Sequence, residues 1–270
     1  MTPLMNLLAQ LAAVHIGLLF AGLLVVLMAA KELGFAIGNR AVAGRGGDAG
    51  RQKDAVGLIT GGMLALAAFI LALAVSMAQG RLDSRRDVVR NEANALGTVW
   101  LRADFAGEAA VPIRALMREY AALRLAAVVA PPAPAAAAAE AQHTAAMQER
   151  IWALASPVAR ADHTPEVALL IESLNQMFDL SLTSRRAFSD RVPIGVLRML
   201  LWATLISMGV IGYNFALTGG RQPIFSALLV AFWSSALVLI VDMNDPTKGS
   251  IGVDPAPLVW AIEGFGPPPR

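Results

Sequence analysis

Four stretches of this sequence are apolar for about the length a helix needs to cross a bilayer, roughly 20 residues. Residues 11–30 read LAAVHIGLLFAGLLVVLMAA, with His15 as the one ionisable group. Residues 56–78 read VGLITGGMLALAAFILALAVSMA and carry no charge. Residues 194–217 read IGVLRMLLWATLISMGVIGYNFAL, with Arg198 near one end, and residues 224–241 read IFSALLVAFWSSALVLIV, again uncharged. One such run can be buried inside a soluble core. Four are hard to bury in a chain of 270 residues. The expected class is therefore all-α: a polytopic membrane protein with four transmembrane helices.

Composition agrees with this reading. The chain is 56% hydrophobic and 16% charged, against about 45–50% and about 25% for an ordinary globular domain. A formal net charge of +2 gives no nucleic-acid signature, and no nucleic-acid partner is expected. Cysteine is absent, which excludes disulfides, thiolate metal sites and a cysteine nucleophile. Residues 1–10 contain no basic side chain, so the first run reads as a retained helix rather than a secretory signal. Within the spans, Gly61, Gly62, Gly209 and Gly212 are small positions where helix backbones can approach closely in lipid. Arg198 can snorkel towards the headgroups beside Trp202. His15 has two readings, polar packing within the bundle or a place on an ion path.

Residues 79–193 hold no further spanning run, but they carry helical periodicity. No proline interrupts residues 56–105, so the second span is expected to run on as one long helix, with Val88, Leu96, Val99 and Trp100 on its apolar face. A second helix is expected near Val111, with Pro112 in its first turn, and PPAP at Pro131 to Pro134 ends it. An alanine-rich third helix follows from about residue 135. The fourth starts at Thr164 and Pro165, with Glu166 at its positive end. Its Val167, Leu170, Leu174, Met177 and Phe178 recur at helical spacing and predict an interior seam.

The expected organisation is a first transmembrane hairpin over 1–78, a helical region over 79–193, a second hairpin over 194–241 and a tail over 242–270. Basic residues near the span ends orient such a protein. Arg81, Arg85, Arg86, Arg90, Arg185, Arg186, Arg191 and Lys248 lie on the side of the middle region. Lys31, Arg40, Arg45, Arg51, Lys53 and Arg221 lie on the other. This bias predicts a multi-pass protein of the inner membrane, with both termini and the middle region cytoplasmic. The chain contains no HExxH, GxSxG, Walker loop or dinucleotide fingerprint, and its three histidines are scattered. No enzyme activity, metal or cofactor is expected.

Charge gathers just beyond the second span, where RLDSRRDVVRNEAN places Arg81, Asp83, Arg85, Arg86, Asp87, Arg90 and Glu92. One reading is a solvated helix with routine ion pairs. The other, if several copies surround an axis, is a cationic ring of Arg81 and Arg85 over a pore mouth, with Phe69, Ser76 and Glu92 as further lining candidates.

Four stretches together resemble the DUF4239 bacterial membrane protein family, also described as bestrophin-like. In residues 76–105 the matching positions are Arg81, Asp83, Arg85, Arg86, Glu92, Asn94, Gly97, Thr98, Arg102 and Asp104. In LIESLNQMFDLSLTSRRAFSDRVP they are Leu174, Asn175, Asp179, Arg185, Arg191 and Pro193. In GYNFALTGGRQ they are Gly212, Gly219 and Arg221, and in LIVDMNDPTKGSIGVDPAPL they are Asp242, Asp245, Pro246, Gly249 and Pro257. The resemblance covers most of the chain and implies no assigned catalytic residues. Its link to bestrophins implies four spans, a helical region continuous with them, and a homo-oligomer, a pentamer, that passes small anions. The chain departs from bestrophins in two ways. Its second span has Phe69 as its single aromatic residue, and Asp242, Asp245 and Asp254 do not form a recognisable calcium clasp. The expectations are therefore ordered: an oligomeric anion channel in the lipid bilayer first, a non-conducting scaffold or protein-interaction module second, a membrane enzyme last.

Overall fold

The computed structural model describes residues 3–43, 49–132, 135–246 and 250–267. Of the residues named above, Arg45, Pro134, Lys248 and Gly249 lie outside the described residues. Every regular element among the described residues is helical: α1 (Pro3–Ala43), α2 (Ala49–Arg102), α3 (Ala110–Val129), α4 (Ala137–Ala161), α5 (Pro165–Ser189), α6 (Ile194–Thr218), α7 (Pro223–Asn244) and α8 (Ala256–Glu263). A 3-10 segment, Ala103–Ala109, separates α2 from α3. It turns at Gly107, whose φ of +56° suits a residue without a Cβ.

Four helices, α1, α2, α6 and α7, are long and apolar enough to cross a membrane. Each leaves large apolar side chains exposed: Leu18 and Val25 on α1, Leu58 and Phe69 on α2, Met199 and Trp202 on α6, Phe225 and Phe232 on α7. A protein in water seldom carries so much contiguous apolar surface; in a bilayer the hydrocarbon covers it. The chain is an all-α, multi-pass membrane protein with a helical region between its second and third spans.

The chain forms two compact units. The first comprises Met1–Gly80 and Arg191–Ile251. Here α1 packs against α6 at backbone contact. A Cβ at Gly34 would overlap the Gly209 carbonyl, one at Gly38 would meet Ala216 and Tyr213, and one at Gly212 would overlap the Lys31 carbonyl. Helices gain little from apolar burial in lipid, so close approach through small residues supplies the attraction instead. Gly61 and Gly62 face open space and serve no such contact. His15 is exposed within the chain rather than packed in its bundle. Gly219, at φ +79°, ends α6 in the left-handed conformation, and Gly220 N–H returns to the Phe215 carbonyl at 3.2 Å. The segment before α6 is tied to the end of α7, where Val192 N–H donates to Asn244 Oδ1 at 2.6 Å; buried Asp242 on α7 holds the segment after it, accepting from Ser250 N–H at 2.5 Å and Ser250 Oγ at 2.6 Å.

The second unit comprises Arg81–Asp190 and Gly252–Arg270. Val89, Leu96 and Val99 from α2 meet Ile113, Met117 and Tyr120 from α3, Met147 and Ile151 from α4, and Leu170, Leu174 and Met177 from α5. All but Met147 are completely buried, and Phe178 is half-buried against the same cluster. Thr164 sits at the α5 N-cap position without a capping bond from its hydroxyl; its N–H donates instead to Asp162 at 2.9 Å. The segment beyond residue 241 is divided. Residues up to Ile251 belong to the first unit, while α8 and Phe265 join the core of the second through Leu258 and Phe265.

Candidate functional site

The charged segment of α2 is ordered by one geometric fact. The buried positions of α2 are Thr60, Ala67, Ile70, Leu71, Ala74, Ala78, Leu82, Arg85, Val88, Val89, Glu92, Ala93, Ala95, Leu96 and Val99. They recur every three or four residues and form one stripe down the helix. Arg85 and Glu92 fall on the stripe, whereas Asp83, Arg86, Asp87 and Arg90 fall off it. The exposed four pair locally, Arg86 with Asp83 at 3.4 Å and Arg90 with Asp87, in the solvated arrangement that contributes little stability.

Arg85 points inward to the end of α5. Its Nε donates to the Ala187 carbonyl at 3.1 Å and its guanidinium NH2 to the Asp190 carbonyl at 2.8 Å. A helix end presents carbonyls without intrahelical partners and a partial negative charge, and a buried guanidinium answers both. Arg81, one turn earlier, pairs with the Asp190 carboxylate at 3.2 Å. The two arginines do share a helix face, but that face is committed to α5 of the same chain. Glu92 is likewise fully buried rather than lining an exposed surface.

Glu92 opens a buried polar chain. Arg124 Nε donates to it at 2.5 Å, and the other arm of Arg124 reaches Glu140 at 2.8 Å. Thr144 adds a hydroxyl bond to Glu140 at 2.9 Å. Alongside, Gln148 donates to Tyr120 Oη at 3.2 Å and to Ser181 Oγ at 2.8 Å. Three helices, α2, α3 and α4, are thus joined by one guanidinium between two carboxylates. Burial works against the Arg124 charge, but the adjacent Glu92 carboxylate outweighs it and holds the guanidinium above its ordinary range. Burial pushes the Tyr120 hydroxyl up, against its bond from Gln148. Arg124 was not singled out from the sequence. Its signal was there: it lies in register with Met117 and Tyr120 on an apolar stripe, where a charge must find a buried partner.

A second cluster holds the chain's last helix. Trp100 stacks on Phe265 with ring centroids 4.3 Å apart. Arg114 and Arg118 lie over the Trp100 ring at 5.0 and 4.7 Å, and Arg118 donates to the Phe265 carbonyl at 2.7 Å. Asp104 pairs with Arg114 at 2.8 Å, and Arg102 donates to the Leu169 carbonyl at 2.9 Å.

The remaining positions scatter. Phe69 and Ser76 lie on the exposed face of α2. Asn94, Asn175, Asp179, Arg185 and Pro193 are exposed, Gly97 and Pro246 half-buried, Gly212 and Asp242 buried. Among the described residues no three His, Asp or Glu side chains are grouped to hold a metal ion.

The chain matches the bestrophin-like domain family over residues 24–258, most of its length. No curated protein and no solved structure matches it.

Proposed function

The chain belongs to the bestrophin-like family, and from that premise we propose that copies of it assemble around an axis, as a pentamer, into a membrane channel that passes small anions. The supporting observation is the free face of α2. One stripe of this helix is buried within its own chain, while Leu66, Phe69, Leu73 and Ser76 on other faces are exposed. In the proposed assembly that free surface faces the axis and the neighbouring copies, with Phe69 and Ser76 towards the pore. The helical region of residues 79–193 and both termini are placed in the cytoplasm, following the arginine bias next to the spans. Small anions and other copies of the chain are the proposed partners.

A second reading, a non-conducting scaffold, has its own support. The charged groups expected at a vestibule, Arg81, Arg85 and Glu92, are engaged inside the chain. Purified oligomer in planar bilayers separates the two. We expect anion-selective current, and Ser76→Glu is expected to lower anion over cation permeability, most at low salt, because screening acts over about 8 Å at physiological ionic strength. Ser76 is the better probe than Arg85, since Arg85→Glu would set a carboxylate against the carbonyls that close α5. Absence of current above background from a verified oligomer would replace the channel with the scaffold.

A further inference from the structure

We propose that the cleft between the first turn of α4 and the last two turns of α5 binds a phosphate-bearing anion through Arg185 and Arg186. The cleft has a volume of about 770 Å³, within the span of small-molecule sites and larger than a lone ion requires. Ala137 and Ala138 form one wall, where short side chains leave the space open, and both arginines line the other.

The arginines differ from those around them. Arg81, Arg86, Arg90 and Arg191 each have a carboxylate partner. Arg185 and Arg186 are exposed and form no ion pair among the described residues. Thr183 and Ser189 also line the cleft, but their hydroxyls already donate to the Asp179 and Arg186 carbonyls at 3.0 and 2.8 Å. Among the side chains lining the cleft, the available donors are therefore the guanidinium N–H groups. Asp190 also lines the cleft and would repel an anion, but its carboxylate is paired with Arg81 at 3.2 Å. Two uncompensated positive charges remain. A phosphate group offers several acceptor oxygens to two planar forks, a match that a single-point anion lacks.

The ester that carries the phosphate has two sources. Ser189 ends α5 and Ile194 begins the third apolar helix, so few residues separate the cleft from that helix along the chain. An acidic phospholipid headgroup is one source, and a soluble phosphate is the other. The proposal does not depend on conduction.

The test is binding to the full-length protein in neutral detergent, with dihexanoyl-phosphatidylglycerol and inorganic phosphate as probes. We expect saturable binding of at least one, weakened about tenfold or more in Arg185→Gln/Arg186→Gln. Ala138→Glu keeps both arginines and places a carboxylate in the opposite wall, where a helix N-terminus tolerates it; it is expected to weaken binding similarly. Arg86→Gln/Arg90→Gln removes the same formal charge outside the cleft and is expected to bind as wild type. Equal affinity for both probes identifies a soluble phosphate as the source, and preference for the lipid identifies the headgroup. Binding of neither probe, binding unchanged by either cleft variant, or an equal loss in the Arg86/Arg90 control overturns the proposal.

Discussion

Arg124 on α3 is buried between Glu92 and Glu140, and the far oxygen of Glu92 has no hydrogen-bond partner among the described residues. Removing the guanidinium leaves a completely buried carboxylate without compensation, whereas an apolar group of similar volume at both positions does not. Arg124→Met is expected to destabilise the protein by about 3–5 kcal/mol, and Glu92→Leu/Arg124→Met to recover a large share of that loss. Melting of the purified variants in detergent checks this. A wild-type melting temperature in Arg124→Met would show that the pair is not held as described.

At the scale of elements, glycine placement decides which helices touch. Gly212 and Gly61 both sit in apolar spans, yet a Cβ meets the Lys31 backbone at the first and nothing within 4 Å at the second. Gly212→Ala is expected to cost about 1–3 kcal/mol through overpacking against backbone that cannot rotate away. Gly61→Ala is expected to be neutral, or stabilising by up to about 1 kcal/mol, from helix propensity. Thermal scans of the two variants side by side distinguish them, and a like response would remove backbone contact as the basis of α1–α6 packing. The last helix is held by a different device, an aromatic stack with two cations over it. Phe265→Ala is expected to cost about 3–5 kcal/mol locally. Limited proteolysis should then clip residues 252–270 while α1, α6 and α7 stay protected; a tail as resistant as wild type would mean that Phe265 does not anchor it.

For the whole molecule, the open quantity is orientation. Four spans put residue 51 and residue 155 on opposite sides of the membrane, and in the orientation proposed above residue 155 is cytoplasmic. Reporter fusions after Arg51 and after Ala155 are expected to report opposite compartments, with the second cytoplasmic. Both reporters on one side would break the four-span topology, and a periplasmic second reporter would invert it.

Much of this architecture follows from the order of residues alone. Spans, the unbroken length of α2 and the seam of α5 are local matters: apolar run length, the absence of proline, and spacing at three and four residues. The family was legible in the same way, because its motif residues fall within four short stretches of the chain. Which polar residues act inside the protein was not legible. Arg85 and Arg86 are neighbours in sequence, yet one is buried against the end of α5 and the other pairs in the open. The difference is about 100° of helical rotation, and its meaning depends on where another helix lies. Likewise Gly34 and Gly38 matter and Gly61 does not, because only the first pair meets a neighbouring backbone. Partners more than 100 residues away, such as Asp190 for Arg81 and Phe265 for Trp100, come from chain reversals that no local pattern encodes. The sequence determines helices and their apolar faces through short-range sterics and hydration; the pairing of charges and small residues across those faces is decided by tertiary packing, since the cost of burying either depends on what lies opposite.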